Sequence, residues 1–434
     1  MTVAVVGAGI TGLALTHHLV ERGADVVTVE ARDEAGGVIQ SRRRGGHVVE
    51  VGPQRLRLTP GVDELVRAAG VEDRVVTSDA EDLYVYADGA LHEAPTSREA
   101  FLRTDLLSWP AKLRLLAEPL TRPAHESETV AEAFARKFGR RAYERLVGPL
   151  YGGLYASDPA EMPAAFALAG LMEREAEAGS MLAALRGRLG GGAPPATLAD
   201  GLQALPRALA ARYDDAVRLN ERVTAVEPVG DDGPSATAGG MPVAGDGDGR
   251  YCVTTDRGEY RAERVVVTVP AGPASDLLAD VADGADGLAD LTYNPLALVY
   301  LTADSVPEGA LGYQVSYDAD QRTLGVSFNG EAFGRDGLCT AFLGGMHDPE
   351  ILGRDDDRLA DVARRELATA LGSEVSVVGV ERRDRWFPAY DQTWWALSDL
   401  STPPGLHLAT NYTARMGITS RVREAERLAE RLAG

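Results

Sequence analysis

The residues with the clearest chemistry are Gly7-Ala8-Gly9-Ile10-Thr11-Gly12 and, about twenty residues on, Glu30. In this G-x-G-x-x-G run Gly7 suits a tight turn, Gly9 lets a pyrophosphate approach the backbone, and Gly12 lets a helix pack closely on a strand. A helix starting here offers unpaired N–H groups and a partial positive charge to phosphates. Glu30 can accept hydrogen bonds from both ribose hydroxyls, which favours an unphosphorylated ribose, as in FAD or NAD rather than NADP. Ala31, Arg32, Gly36, Gly37 and Val38 extend the same candidate site.

The elements needed to position these residues are legible. Val3-Ala4-Val5-Val6 is apolar and β-branched, as a strand buried on both faces should be. Leu13 to Glu21 has helical character, and the apolar run from Asp25 to Val29 ends at Glu30. A strand, a glycine turn, a helix and a strand ending in an acid form a dinucleotide-binding unit rather than an ordinary glycine turn.

Composition sets the limits. At 434 residues and 45% apolar content, the chain can hold two or three interleaved domains with sizeable cores. Its net charge of -21 argues against nucleic-acid binding, which needs a basic face. Lys112 and Lys137 are the only lysines. Such an acid excess suits a halophile with a salted cytoplasm, although high-GC codon usage also removes lysine. Cys252 and Cys339 are the only cysteines, which excludes a disulfide framework and fits a reducing compartment. The first strand begins at residue 3, so no secretory leader is expected. The most apolar candidate span, Met162 to Met172, is too short to cross a bilayer and contains Pro163 and Gly170. A cytoplasmic protein, soluble or peripheral at a membrane, is the expectation.

Further along, His47 to Val51 reads as a strand running into Gly52-Pro53-Gln54-Arg55. Residues 61–71 look helical, and Leu83 to His92 reads as a hairpin turning at Asp88-Gly89. Residues 106–188 are helical with short breaks, and Thr129-Val130-Ala131-Glu132 has capping-box spacing. Within them lies Phe138-Gly139-Arg140-Arg141, continuing to Gly148-Pro149-Leu150-Tyr151-Gly152-Gly153-Leu154-Tyr155-Ala156-Ser157-Asp158-Pro159. Residues 190–195 read as a linker and 229–250 as a flexible insertion, while Tyr260 to Val269 reads as one buried strand. Strands with one helix, Asp356 to Leu371, fill 291–376.

On the glycine motifs at both ends and the helical run between them, the sequence resembles the FAD-dependent amine oxidase superfamily and, within it, the protoporphyrinogen oxidase family. The resemblance covers nearly the whole chain. It implies an α/β protein: a Rossmann-like FAD-binding domain (1–60, 196–270 and 378–434) interleaved with an α+β substrate-binding domain. The latter has a mainly helical, membrane-side part (61–195) and a mixed sheet (271–377). It implies FAD held by the residues above together with Gly52, Pro53, Gln54, Arg55, Val223, Trp386, Asn411, Met416, Gly417 and Ile418, with Val223 giving backbone contacts to the adenine. Arg55 and Arg57 are the candidates to meet substrate carboxylates. The implied reaction is the oxygen-using dehydrogenation of a porphyrinogen to a porphyrin in haem biosynthesis, with protoporphyrinogen IX or coproporphyrinogen III as the tetrapyrrole substrate. The chain departs from the family at Leu83, where some members have an arginine, at Thr410, and at Arg421 to Ala425.

No residue stands out as a catalytic base. The seven histidines show no ligand spacing, so no metal is expected, and no supported nucleophile motif occurs. An amine oxidase usually carries a lysine near the flavin, and residues 293–303 have none. A carotenoid desaturase fits the helical run less well, and a catalytically silent FAD scaffold is the non-enzymatic alternative.

Overall fold

The computed structural model describes residues 1–153, 156–185, 192–229, 250–413 and 416–433. Its centre is a five-stranded parallel sheet in the order Val217–Arg218, Asp25–Val29, Thr2–Val6, Arg264–Val267, Leu406–Leu408. Thr2–Val6 pairs on both sides. Its side chains alternate between two cores: Val3 and Val5 pack with Leu13 and Leu15 of the first helix (Ile10–Glu21), whereas Ala4 and Val6 face the opposite cluster. Both faces are dry, so the strand needs an unbroken apolar run. The closing helix, Ile418–Ala433, buries Val422, Ala425 and Ala429 at helical spacing against the same core as the first helix.

A second, seven-stranded sheet runs Val375–Pro388, Tyr293–Ala303, Leu338–Gly344, Thr323–Ser327, Ala310–Val315, Asp82–Ala87, Ala90–Glu93. The expected hairpin forms its edge, and Asp88 and Gly89 take φ of 50° and 84°, as a tight two-residue turn requires. The helix Asp356–Leu371 covers this sheet through Leu359, Ala363 and Leu367.

The structure corrects three readings. Residues 260–269 hold two strands, because the chain changes sheet at Glu263, whose N–H donates to Thr2 O and whose carboxylate accepts the Thr2 N–H. Asn329–Phe333 is a second helix beside Asp356–Leu371. Pro195 opens a strand, Pro195–Leu198, that pairs with Leu56–Arg57 and Val75–Thr77, so the linker ends before it. Val375–Pro388 runs unbroken through residue 378, and Asp82–Ala87 and Ala90–Glu93 pair into the same sheet. Residues 190–191 of the linker, 186–188 of the helical run and 230–249 of the insertion lie outside the described residues.

The helical part is anchored by charge as well as by apolar packing. Thr129 and Glu132 form the expected reciprocal cap. Lys137, 1% exposed, bonds Glu118 at 2.9 Å and also pairs with Glu175. Burial works to raise the Glu118 carboxyl, but Lys137 and the N–H groups of Met181 and Leu182 outweigh it and hold it below its ordinary value. Replacing Lys137 by Met strands two buried carboxylates and is expected to cost about 3–5 kcal/mol, read from denaturant unfolding. Unchanged stability would mean that these acids are solvated.

Candidate active site

The glycine turn is built as its spacing demands. Gly7 sits at φ 105° and donates to Val29 O at 2.8 Å. A Cβ on Gly12 would lie 2.0 Å from Gly7 O, so no other residue fits. Glu30 is 9% exposed; its Oε2 accepts the Ala8 N–H at 2.9 Å and its Oε1 the Arg32 N–H at 3.0 Å. Arg32 in turn donates to Gly37 O at 2.9 Å. Gly9 bridges Gly36, and a Cβ on Gly9 would meet nothing nearer than Gly37 Cα, at 3.9 Å. Gly9 also caps the first helix with no side chain and no acid in the first turn, leaving the N–H end of that helix open. These features fit a dinucleotide: an open phosphate cradle flanked by a ribose-binding acid.

Beside Ile10 a cavity of about 420 Å³ leads away from the cradle. Val38, Gly52, Pro53, Gln54 and Arg55 form one wall, and Trp386 a second. Asn411, Met416, Gly417 and Ile418 close it at the start of the last helix. Eleven residues expected at the cofactor thus come together. Gly52 is packed so tightly that a Cβ would lie 2.1 Å from Val38 O. Gln54 is tied back to Glu50 O and Gly52 O at 3.2 and 3.0 Å and accepts from Asn329 at 2.8 Å.

Behind this loop lies Glu50, 1% exposed, bonded to Arg335 at 2.9 Å, Ser41 Oγ at 2.6 Å and the Leu202 N–H at 3.1 Å. Burial raises its carboxyl, and Arg335 and Ser41 restrain the rise.

The rest of the lining comes from the second sheet and its surroundings, and none of its residues stood out singly in the sequence. Leu296, Leu324 and Phe342 give an apolar side, and Gly153 and Ala156 supply close backbone. Gln314, Ser327 and Arg421 add polar groups. Gln314 is the one polar side chain in the strand ALGYQV, a signal that a sequence reading can use. Arg55 has only a 3.5 Å contact, to Ser327 Oγ, and no carboxylate partner among the described residues. Burial lowers its pKa to about 10, and repulsion from Arg57 adds to the shift. Arg421 is pulled down by burial while Glu424 beside it opposes the fall.

One expected residue is elsewhere: Arg57 is exposed and donates to Ala193 O at 3.0 Å, outside the cavity lining. Val223 opens its strand, buried, and two residues before it the Glu221 N–H donates to Glu30 O at 2.9 Å, on the side of the ribose-binding acid. Gly52→Ala should displace Val38 and the 52–55 loop and release FAD on gel filtration while the far-UV spectrum stays folded; full FAD retention would show that the loop does not touch the cofactor.

The family model for flavin-containing amine oxidoreductases matches residues 10–433. The chain is 27% identical over 415 residues to protoporphyrinogen oxidase 1 of Spinacia oleracea, covering 85% of this chain and 70% of that one. It is 29% identical over 372 residues to protoporphyrinogen oxidase of Homo sapiens (76% and 73%). A 133-residue stretch is 34% identical to coproporphyrinogen III oxidase of Staphylococcus aureus, 28% of either chain. Among solved structures, a protein from Exiguobacterium sp. 255-15, provisionally named a protoporphyrinogen oxidase, superposes with a TM-score of 0.73 at 21% identity, covering 100% and 98% of the two chains. A putrescine oxidase bound to putrescine gives 0.70 at 16% identity, covering 100% and 99%. The chain belongs to the flavin-containing amine oxidoreductase family and is an FAD-dependent oxidoreductase.

Proposed function

We propose that the protein oxidises a porphyrinogen to a porphyrin, with protoporphyrinogen IX as the substrate and oxygen as the acceptor. One observation carries this reading: among the described residues the only charged ones lining the cavity are Arg55 and Arg421, with no carboxylate and no lysine. A polyamine cation would meet like charge there. A neutral macrocycle with propionate arms would meet apolar walls and an arginine lacking a carboxylate. Leu296, on the strand where an amine oxidase usually has its lysine, faces the cavity as a hydrocarbon. Both lysines are spent in the helical part, Lys112 on the Leu102 and Thr104 carbonyls and Lys137 on buried acids. The similarity to protoporphyrinogen oxidases over most of the chain supports the same substrate class.

Held at the glycine cradle, FAD would supply the two-electron oxidation of the macrocycle, with oxygen as the final acceptor and hydrogen peroxide as its product. The chain's own part is positional. Arg55 anchors a propionate, Leu296, Leu324 and Phe342 keep water from the ring, and Gln314 offers its amide to a pyrrole. No strong base is required where loss of protons leads to an aromatic product. The N-terminal end of the last helix, with Arg421 in its first turn, sets positive charge at the far end of the cavity. Trp109, Leu113, Leu116 and Leu120 stand exposed on the helical part, which supports a peripheral membrane contact for an apolar substrate. Among the described residues no helix is long and apolar enough to cross a membrane. The acid excess supports a salted cytoplasm, so assays belong in high salt.

Porphyrin fluorescence in air, against an autoxidation control, should rise faster with protoporphyrinogen IX than with coproporphyrinogen III, and putrescine should give no peroxide. Flavin-loaded protein that oxidises neither porphyrinogen would end this reading; preference for coproporphyrinogen III would change the substrate. Arg55→Leu should raise KM by about 30-fold or more, since losing one partner of a desolvated charge pair costs at least about 2 kcal/mol, while kcat moves less. An unchanged KM would remove Arg55 from the substrate site.

A further inference from the structure

At the end of the first helix away from the cradle, His17 and His18 are 4% and 2% exposed. The second helix, Pro60–Ala69, brings Glu64 to them. His17 Nε2 lies 3.2 Å from Glu64 Oε1, and His18 Nδ1 lies 3.8 Å from the same oxygen. One ligand atom from each residue falls within 4.8 Å of the other two. Tetrahedral ligands about 2.0–2.1 Å from a metal stand roughly 3.4 Å apart, so small side-chain rotations bring these three to bonding distance.

Two further observations point to a ligand. The His17 ring is fixed from behind: its Nδ1 bonds Tyr213 Oη at 2.6 Å, leaving Nε2 aimed at Glu64. An outer partner of this kind orients the histidine in metal sites. His18 makes no side-chain hydrogen bond among the described residues: Nδ1 stops 3.8 Å short at Glu64, and Nε2 is buried without a partner. An imidazole taken out of water with neither nitrogen bonded is costly, and an ion at Nδ1 would supply what the protein does not. The neighbouring cation does not compete for the carboxylate, since Arg22 pairs with Glu430 at 3.9 Å. Glu64 is 52% exposed, so an ion has a path in and a water has room beside it.

We propose that His17 Nε2, His18 Nδ1 and Glu64 form a site for a divalent transition ion of the Zn²⁺ class, with water as the fourth ligand. Two imidazoles and one carboxylate favour Zn²⁺, Co²⁺ or Ni²⁺ over Mg²⁺ or Ca²⁺. The ion is a staple rather than a reagent. It ties the dinucleotide helix to the second helix, which follows shortly after the Gly52–Arg55 loop that walls the cavity. Adjacent histidines show no ligand spacing, and the carboxylate lies 47 residues from His17, so the sequence alone did not reveal the set.

The test uses chelator-treated, FAD-loaded protein titrated with Zn²⁺ or Co²⁺ in excess Mg²⁺. One equivalent should bind, raise the melting temperature, and with Co²⁺ produce visible bands beyond those of the flavin. Glu64→Gln, at an exposed position, should stay folded and weaken binding by about 100-fold or more, while Tyr213→Phe should weaken it about 10–100-fold through loss of ring orientation. No saturable binding by the unaltered protein overturns the proposal, as does Glu64→Gln binding as tightly as the unaltered protein.

Discussion

Placing the carboxylate of Glu50 out of water costs several kcal/mol unless its surroundings answer it, and the way they answer it ties the molecule together. Arg335 comes from the seven-stranded-sheet segment, the Leu202 N–H from the approach to the helix Ala204–Arg212, and Ser41 from the small hairpin after the glycine cradle. The Glu50 carbonyl accepts from Tyr300 of the second sheet at 3.0 Å and from Gln54 of the cavity loop. Three distant stretches of chain, at Leu202, Tyr300 and Arg335, therefore converge on one residue. The loop that follows it, Gly52 to Arg55, inherits its position from this convergence.

That arrangement explains the division of labour in the cavity. One side is built from the dinucleotide-binding part, where backbone and glycine dominate. The other comes from the second sheet, where side chains set the character: hydrocarbon from Leu296, Leu324 and Phe342, amide from Gln314. Arg55 stands between the two, on the loop that follows Glu50, with its guanidinium 3.5 Å from Ser327 of the second sheet. A guanidinium left without a counter-ion in such a place is a stored electrostatic cost, and a carboxylate-bearing ligand relieves it.

What could be read from the sequence follows the range of the interactions. Gly7, Gly12 and Glu30 act within one strand–turn–helix unit, so their spacing carries the meaning. The Thr129 cap and the Asp88-Gly89 turn are local in the same sense, and both form as expected. Gln314, Leu324 and Phe342 became cavity residues through strand register in a sheet whose neighbours are far apart in sequence, and no local pattern encodes that. The split of 260–269 into two strands hinges on Glu263 meeting Thr2, a contact across 261 residues. Arg57 is not a site residue because its strand pairs with the distant Pro195–Leu198 and its guanidinium reaches out to Ala193 O, a neighbour its own sequence does not announce.

The parallel sheet also governs how the chain can be made. Thr2–Val6 is synthesised hundreds of residues before its partner Arg264–Val267, and Leu406–Leu408 joins the sheet later still. Until then an apolar strand has one unpaired edge and two unburied faces. Cofactor capture therefore waits on synthesis: the cradle is made long before the helix Ile418–Ala433 that closes the cavity, and a nascent chain depends on being shielded from aggregation throughout that interval.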